Sequence, residues 1–306
     1  MLNYLLRRIL LTIPLALGVV FIVTISFDLI PGDPAALILG EFATPAAVAE
    51  LRTSLGLDRP LLVRYVAYVG DILQGDLGRS IRDRRAVTAI LGETFPYTIQ
   101  LALAAIILVL AVGIPLGVLA ASRPGSWIDN VIRVASLAGL SMPVFWTGLV
   151  FIVIFSVNLR WFPVSGTGTW RHLVLPAVTL ALPSIAVVAR MTRATVLDVL
   201  REDFIRTARA KGIGESSLLY KHTLRNALIP VVTVLGLQLG QMLGGAVLTE
   251  TVFAWPGVGR LTVFAIFNRD FVLMQGLVLV LAMVYVVVNL LVDLSYGLID
   301  PRVAYS

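Results

Sequence analysis

This sequence predicts an all-α integral membrane protein with six transmembrane helices, an extracytoplasmic excursion between helices 1 and 2, and a cytoplasmic helix between helices 4 and 5. Three observations predict it. Of the 306 residues, 58% are hydrophobic and only 14% are charged, whereas a soluble domain carries roughly a quarter charged residues. The mean hydropathy is +0.93, and the apolar stretches are too long and too free of charge to share one water-shielded core. Six of them reach the length that a helix needs to cross the hydrocarbon layer, about 20 residues within a range of roughly 17–25.

The spans read as 9–27, 98–122, 134–159, 173–189, 227–249 and 271–292, within a single transmembrane domain covering 1–306. The fourth is the shortest and carries Pro176 and Pro183, which neighbouring helices and polar side chains can accommodate in a bilayer. The first has the charged flank of a signal peptide, Arg7 and Arg8. Its apolar run is too long for one, however, and Pro31-Gly32-Asp33-Pro34 follows instead of a small-residue cleavage site, so it reads as a retained helix.

Basic residues in short flanks set orientation. Arg7 and Arg8, then Arg123 and Arg133, then the cluster Arg190, Arg193, Arg201, Arg206, Arg209, Lys211, Lys221 and Arg225 fall on one face if there are six spans. Both termini are then cytoplasmic. The region 28–97 falls outside, since a loop this long translocates largely regardless of its charge. Within it, 51–68 has helical periodicity punctuated by Pro60 and should fold into short helices.

The net charge of +6 and a pI near 10.0 reflect these boundary residues. No nucleic-acid reader module is present. There is no cysteine, which excludes disulfides, thiolate metal sites and cysteine nucleophiles. The two histidines, His172 and His222, have no metal-ligand spacing. His172, near Trp170, reads as interfacial. Ser136, Ser141 and Ser184 lie in spans without a histidine to activate them, which argues against a membrane-embedded enzyme.

The polar connection 190–226 is the most informative segment. Val196, Leu200, Phe204 and Ala208 make an apolar stripe, Glu202 and Arg206 are placed for an i,i+4 ion pair, and Gly212 and Gly214 end this helix. A second short helix fits 215–223, with Leu218, Leu219 and His222 on one face. Two readings stand on physics alone: an amphipathic helix on the lipid surface, or a two-part projection that a partner protein grips.

At Arg206-Thr207-Ala208-Arg209-Ala210-Lys211-Gly212 and His222-Thr223-Leu224-Arg225-Asn226-Ala227-Leu228-Ile229-Pro230, the chain resembles the cytoplasmic signature of ATP-binding cassette importer permeases. More narrowly, it is similar to the dipeptide, oligopeptide and nickel permease family. Further matches lie at Leu29-Ile30-Pro31-Gly32-Asp33-Pro34, Leu55-Gly56-Leu57-Asp58-Arg59-Pro60, Gly75-Asp76-Leu77-Gly78 and Trp255-Pro256-Gly257-Val258-Gly259-Arg260, so the resemblance covers nearly the whole chain. It departs from the broad signature in having Arg206-Thr207-Ala208 in place of Glu-Ala-Ala. It also has Arg225 where a proline is usual, with Pro230 further on.

The resemblance implies a multi-pass subunit of the bacterial cytoplasmic (inner) membrane. Its partners would be a second homologous permease, two ATPase subunits and an extracytoplasmic binding protein. Short peptides are the implied cargo, with nickel chelates or glutathione as alternatives. ATP and Mg would sit on the ATPases, since this chain has no phosphate loop. The coupling loop would dock an ATPase through Arg206, Thr207, Ala208, Arg209, Lys211, Gly212, Glu215, Leu218, Leu219, His222 and Arg225, with Leu218, Leu219 and His222 as the docked face.

Gly236, Gly240 and Gly244 repeat at a spacing that lets helices approach closely. Packing is the plain reading and a pore wall the functional one, and Gln238 and Gln241 face either a passage or a neighbour. Arg79, Arg82, Arg84 and Arg85 form either a solvated surface or a contact for an acidic patch on the substrate-delivering protein. Asp28, Glu250 and Asp293 sit at span ends and read as solvated interfacial carboxylates. An ion-coupled carrier would instead need a carboxylate near the midplane, and inverted repeats.

Overall fold

The computed structural model describes residues 2–25, 32–40 and 44–299, and their side chains except at 2–9, 243 and 293–299. Asp28 and 29–31 therefore lie outside the described residues, as do the side chains of Arg7, Arg8 and Asp293. The described chain is helical, and its one pairing of strand type is an isolated bridge between Arg79 and Ala86. It divides into two units, Met1–Pro96 with Gly257–Leu290, and Tyr97–Pro256 with Leu291–Ser306.

The first unit begins with α1 (Leu2–Ile25), α2 (Pro34–Leu39), α3 (Pro45–Ser54) and α4 (Leu61–Leu73). Asp33 and Thr44 cap α2 and α3, accepting from the N–H groups of Ala35 and Ala47, and a proline occupies the first helical position of each. At that position the missing N–H removes no hydrogen bond and the fixed φ favours the helix. α4 lies on α1: the Tyr65 ring meets Phe21 edge-on at 5.5 Å, and its hydroxyl donates to the Leu17 carbonyl at 3.2 Å. The expected helices within 51–68 are present, broken at Pro60. The start of α5 (Val87–Leu108), α13 (Val258–Phe267) and α14 (Phe271–Ile299) complete the unit around Val20, Leu77, Val87, Ile90, Val258, Ala265, Leu273 and Leu277.

In the second unit α5 runs through a π-turn (Val109–Gly113) into α6 (Ile114–Ser122), followed by α7 (Trp127–Ser141) and α8 (Val144–Phe151), the latter extended by a π segment at Ile152–Asn158. α9 (Trp170–Val199) is the centre, contacted by α6, α7, α8 and α12 (Leu224–Val252). It passes through Pro176 and Pro183 without a break and extends beyond both ends of the expected span. Its N-terminus is capped by Thr169, whose backbone and hydroxyl both meet His172 Nδ1, at 3.3 and 2.9 Å.

Among the described residues, four helical stretches are long and apolar enough to cross a bilayer: Val87–Ser122, Trp170–Val199, Glu215–Met242 and Phe271–Val292. The expected span at 134–159 falls on two helices. α7 and α8 meet at a bend of 106°, so this pair is a broken span or a re-entrant turn. Pro143 supplies the break: it lacks an N–H, and it forces Met142 into extended geometry (φ −88°, ψ 128°). The apolar stretch Leu10–Ile25 is shorter than the other spans among the described residues.

Two glycines test how tightly the second unit is packed. A Cβ on Gly117 would lie 2.5 Å from Thr192 Cβ and 2.6 Å from the Ala189 carbonyl oxygen, whereas one on Gly244 meets nothing within 4 Å. Gly117→Ala should therefore destabilise the protein by about 1–3 kcal/mol through overpacking. Gly244→Ala should leave stability unchanged or raise it by up to about 1 kcal/mol, from helix propensity. Thermal unfolding of the two variants side by side in detergent checks this pair.

Candidate functional site

The loop between α9 and α12 is built on three buried anchors. After Val199 a turn leads into α10 (Asp203–Ala210), which sends Ile205 inward, fully buried. Gly212 then reverses the chain at φ 80°, a conformation that L side chains disfavour. A single turn, α11 (Glu215–Ser217), runs through a π-turn (Leu218–Thr223) directly into α12. Leu218 and Thr223 are the second and third anchors, both fully buried, with the Thr223 hydroxyl donating to the Leu218 carbonyl at 3.0 Å. Beside them Val118, Ala121, Val196 and Ala227 form an apolar cluster against which Leu219 and Leu224 pack.

The two halves of the loop are tied by a fork. Arg209 donates through Nε and an NH2 group to the two oxygens of Glu215, at 2.6 and 3.1 Å. That hydrogen bond, and then the carboxylate charge, hold the Arg209 guanidinium above its ordinary pKa. Arg206 pairs with Asp203 at 3.2 Å, not with Glu202 as expected, because α10 begins only after Glu202.

The expected stripe from Val196 to Ala208 is split between two helices: Val196 is buried but Phe204 is 46% exposed. The expected docked face is corrected at Leu218 alone. Leu218 is enclosed by this chain and is not a surface for a partner, and Leu219 and His222 are half-buried. Arg206, Thr207, Arg209, Lys211, Gly212, Glu215 and Arg225 are exposed, and Ala208 is half-buried. Phe204 and Tyr220 (62% exposed) are the large side chains that the loop presents outward. A groove of about 830 Å³ opens beside it, lined by Arg193, Leu197, Arg201, Arg209, Leu219 and Tyr220.

In the other unit, Arg79, Arg82, Arg84 and Arg85 stand exposed on a tight loop. Asp270, 3% exposed, shapes it from below. Its carboxylate accepts from the Ser80 hydroxyl and from the N–H groups of Ile81 and Arg82, at 3.2 and 3.4 Å, and it caps α14 through Leu273 N–H at 3.1 Å. Arg82 bonds to Asn268, and Arg85 pairs with Glu93. The guanidinium groups of Arg79 and Arg84 have no side-chain partner among the described residues.

Residues 113–305 match the family of binding-protein-dependent transport system inner membrane components, and residues 1–102 match the N-terminal part of such components. The chain belongs to this family. The dipeptide transport system permease protein DppB of Alkalihalophilus pseudofirmus is 43% identical, with all of both chains covered. The di/tripeptide transport system permease protein DppB of Pseudomonas aeruginosa is 44% identical, again over all of both chains. The glutathione transport system permease protein GsiC of Salmonella choleraesuis is 43% identical over the full length of both. Among solved structures, a chain of the MetNI methionine ABC transporter in inward-facing conformations aligns with a TM-score of 0.59 at 19% identity, covering 69% of this chain and 96% of that one. At that identity the likeness concerns the fold.

For this inner-membrane transport component, the glycines and glutamines of α12 separate into distinct roles. A Cβ on Gly236 would meet Val292 Cγ1 at 2.1 Å, so this glycine is required by packing. Gly240 is buried and Gly244 exposed. Gln238 is buried and accepts from the Ser184 hydroxyl at 2.9 Å, tying α12 to α9, whereas Gln241 is exposed. Glu250 is not the solvated carboxylate expected: it is fully buried, and Thr98 donates to it at 2.7 Å. Among the described residues no group of His, Asp and Glu stands close enough to share a metal ion.

Sequence reasoning missed the ion pair that fastens α7 to α9. Asp129 is 1% exposed and receives both arms of Arg193, at 2.6 and 2.7 Å, and the Gly125 N–H at 2.9 Å. In the sequence Arg193 reads as one of the orienting charges, and its pairing is invisible until the two helices are side by side. Asp129→Asn should destabilise the protein by about 3 kcal/mol, because it strands a half-buried guanidinium. Combining it with Arg193→Met should restore part of that loss. A double-mutant cycle on melting measures the coupling, and strictly additive effects would show that the pair contributes nothing.

Proposed function

We infer that this chain is the peptide-conducting permease subunit of an ATP-driven importer, with di- and tripeptides as cargo. The observation that carries this is identity of 43–44% over the full length of both chains to permeases named for dipeptide and di/tripeptide transport. The equally similar permease named for glutathione fits the same reading, since glutathione is itself a tripeptide. A nickel chelate is the remaining alternative in this family resemblance. The chain performs no covalent chemistry in this account. ATP and Mg are held by two partner ATPase subunits, a second homologous permease completes the pathway, and an extracytoplasmic binding protein delivers the peptide.

The coupling loop is where ATPase movement enters. Support comes from its construction: exposed Phe204, Lys211, Tyr220, Lys221 and Arg225 surround a body held by Ile205, Leu218 and Thr223. Such a body moves as one piece, and it is continuous with α12 and joined to α9 by one short turn. Pushing it therefore displaces two spans together, and alternating access follows if those spans line the cavity. Arg79 and Arg84 on the outer loop are the cations offered to the binding protein. Their contribution is to steer its approach, with a rate that falls as salt rises. Both termini lie in the cytoplasm in this arrangement.

Purification of the tagged chain in mild detergent should recover a second permease and ATPase subunits. Tyr220→Asp with Lys221→Glu should release the ATPases and abolish ATP-dependent uptake of labelled dialanine, leaving the permease pair and its melting temperature intact. Leu218→Ala should instead destabilise the chain by about 2–5 kcal/mol, as for a buried leucine. If the exposed double variant keeps its ATPases, the docking face is elsewhere. If the wild-type chain purifies alone, the importer assembly itself is wrong.

A further inference from the structure

A cavity of about 260 Å³ lies within the first unit, between the turn after α3, the α4 helix and the start of α14. Its lining includes no residue of the loop between α9 and α12 and none of the four arginines at 79–85. Its polar lining is ordered along α4. Arg64, Tyr68 and Asp71 fall at i, i+4 and i+7, one face of a helix. Arg59 stands just before the N-terminus of α4, so the cationic groups gather at one end of the cavity and the carboxylate at the other. Arg64 is held in place by donating to the Thr24 carbonyl at 3.3 Å. Arg59 and Asp71 are exposed at the mouth and have no side-chain partner among the described residues.

Between these charged ends is the Tyr68 hydroxyl, buried and without a hydrogen-bond partner. A buried hydroxyl left unpaired is costly unless something arrives to receive it. Burial, and secondarily Asp71, push its pKa up to about 12, so it remains a protonated donor at any physiological pH. Val272, Ala67 and Leu55 add apolar wall, and Gln275 adds an amide.

Asp71 lies seven residue steps beyond Arg64 on α4, about 10 Å along the axis at 1.5 Å per residue. An extended peptide spans at most about 3.3–3.6 Å per residue, so two or three residues bridge that distance from ammonium to carboxylate. We propose that this cavity is a binding subsite for a zwitterionic di- or tripeptide, with the free carboxylate on Arg59 at the Arg64 end, the free ammonium on Asp71, and the Tyr68 hydroxyl donating to a peptide carbonyl between them. Both termini are read as charges, so the site accepts short peptides of varied side chain and rejects those with a blocked end. The proposal adds a station on the excursion 28–97 to the peptide-cargo reading, on which it rests for the source of the ligand.

The test uses the transporter assembly in lipid nanodiscs, without its binding protein, and equilibrium binding of tritiated dialanine. Saturable binding is expected, weakened at least about tenfold by Asp71→Asn and by Arg59→Gln, since each removes a charge-assisted contact. A smaller loss is expected for Tyr68→Phe. N-acetyl-dialanine and dialanine amide should fail to compete. Unchanged elution and melting of the three variants show that they remain folded. Absence of binding, binding indifferent to all three variants, or equal competition by the blocked peptides overturns the subsite. If binding-protein-driven dialanine uptake persists while this binding is absent, only the subsite falls. If dialanine binds as described but no peptide is ever taken up, the cargo reading falls instead.

Discussion

The second unit depends on how closely its neighbours can approach α9. In a bilayer the lipid is as apolar as leucine, so burial of oily side chains gives helices little reason to associate, and close van der Waals packing has to supply it. Four neighbours meet α9 through a glycine. Gly113 and Gly117 of the α5–α6 stretch lie over Val188 and Thr192, Gly139 of α7 over Leu182 and Ala186, Gly148 of α8 over Thr179, and Gly245 of α12 over Leu180. These sites differ in tolerance: the Gly117 contact includes backbone at 2.6 Å, whereas at Gly139 the nearest atom is at 3.7 Å. The α6 crossing is therefore the tighter joint and the α7 crossing the looser one.

Polar ties then fix what close packing alone leaves free to slide. Ser184 and Gln238 join α9 to α12 in the apolar middle, where an unsatisfied amide has no water to turn to. Asp129 and Arg193 join α7 to α9 near the loop end, with geometry that a point charge could not match because both guanidinium arms are used. Both ties end on α9, and α10, the first helix of the loop that leads to α12, begins four residues after its C-terminus. A displacement of that loop is thus delivered to a helix already clamped to its neighbours, which makes the unit suited to moving as a block.

Much of this was legible in the residues, and the parts that were not share a physical cause. The apolar stretches, the helices within the excursion, the family likeness and the break at Gly212 all follow from local composition or local backbone chemistry. Pro143 was visible as well, but a hydropathy window averages across it and returns one span where the chain turns through 106°. The stripe from Val196 to Ala208 failed for the same reason, since a four-residue period does not register a turn at 200–202. Asp129, Asp270 and Glu250 are different: each is buried by partners far away in sequence, so no local pattern marks them, and only Glu250 drew a reading from the sequence, as a solvated interfacial carboxylate. Tyr68 falls in this class too, its hydroxyl being enclosed only once the turn after α3 and the start of α14 come beside α4.

The misplacement of Leu218 has a more specific origin. A regular α-helix over 215–223 would carry Leu218, Leu219 and His222 along one face, and that face would be offered to a partner. The chain instead forms a π-turn at Leu218–Thr223, in which the Thr223 hydroxyl reaches the carbonyl five residues back. A π-turn accommodates one additional residue, and one residue is about 100° of rotation in an α-helix. The faces before and after the turn are therefore out of register with a single helical wheel: Leu218 and Thr223 turn inward together while Tyr220 and Lys221 turn out. The same turn lets the loop enter α12 without a cap or a break, so the element that aims the exposed residues also joins them mechanically to a span. Deleting one residue within 218–223 would rotate every outward side chain of the loop relative to α12, with no change in composition or hydropathy.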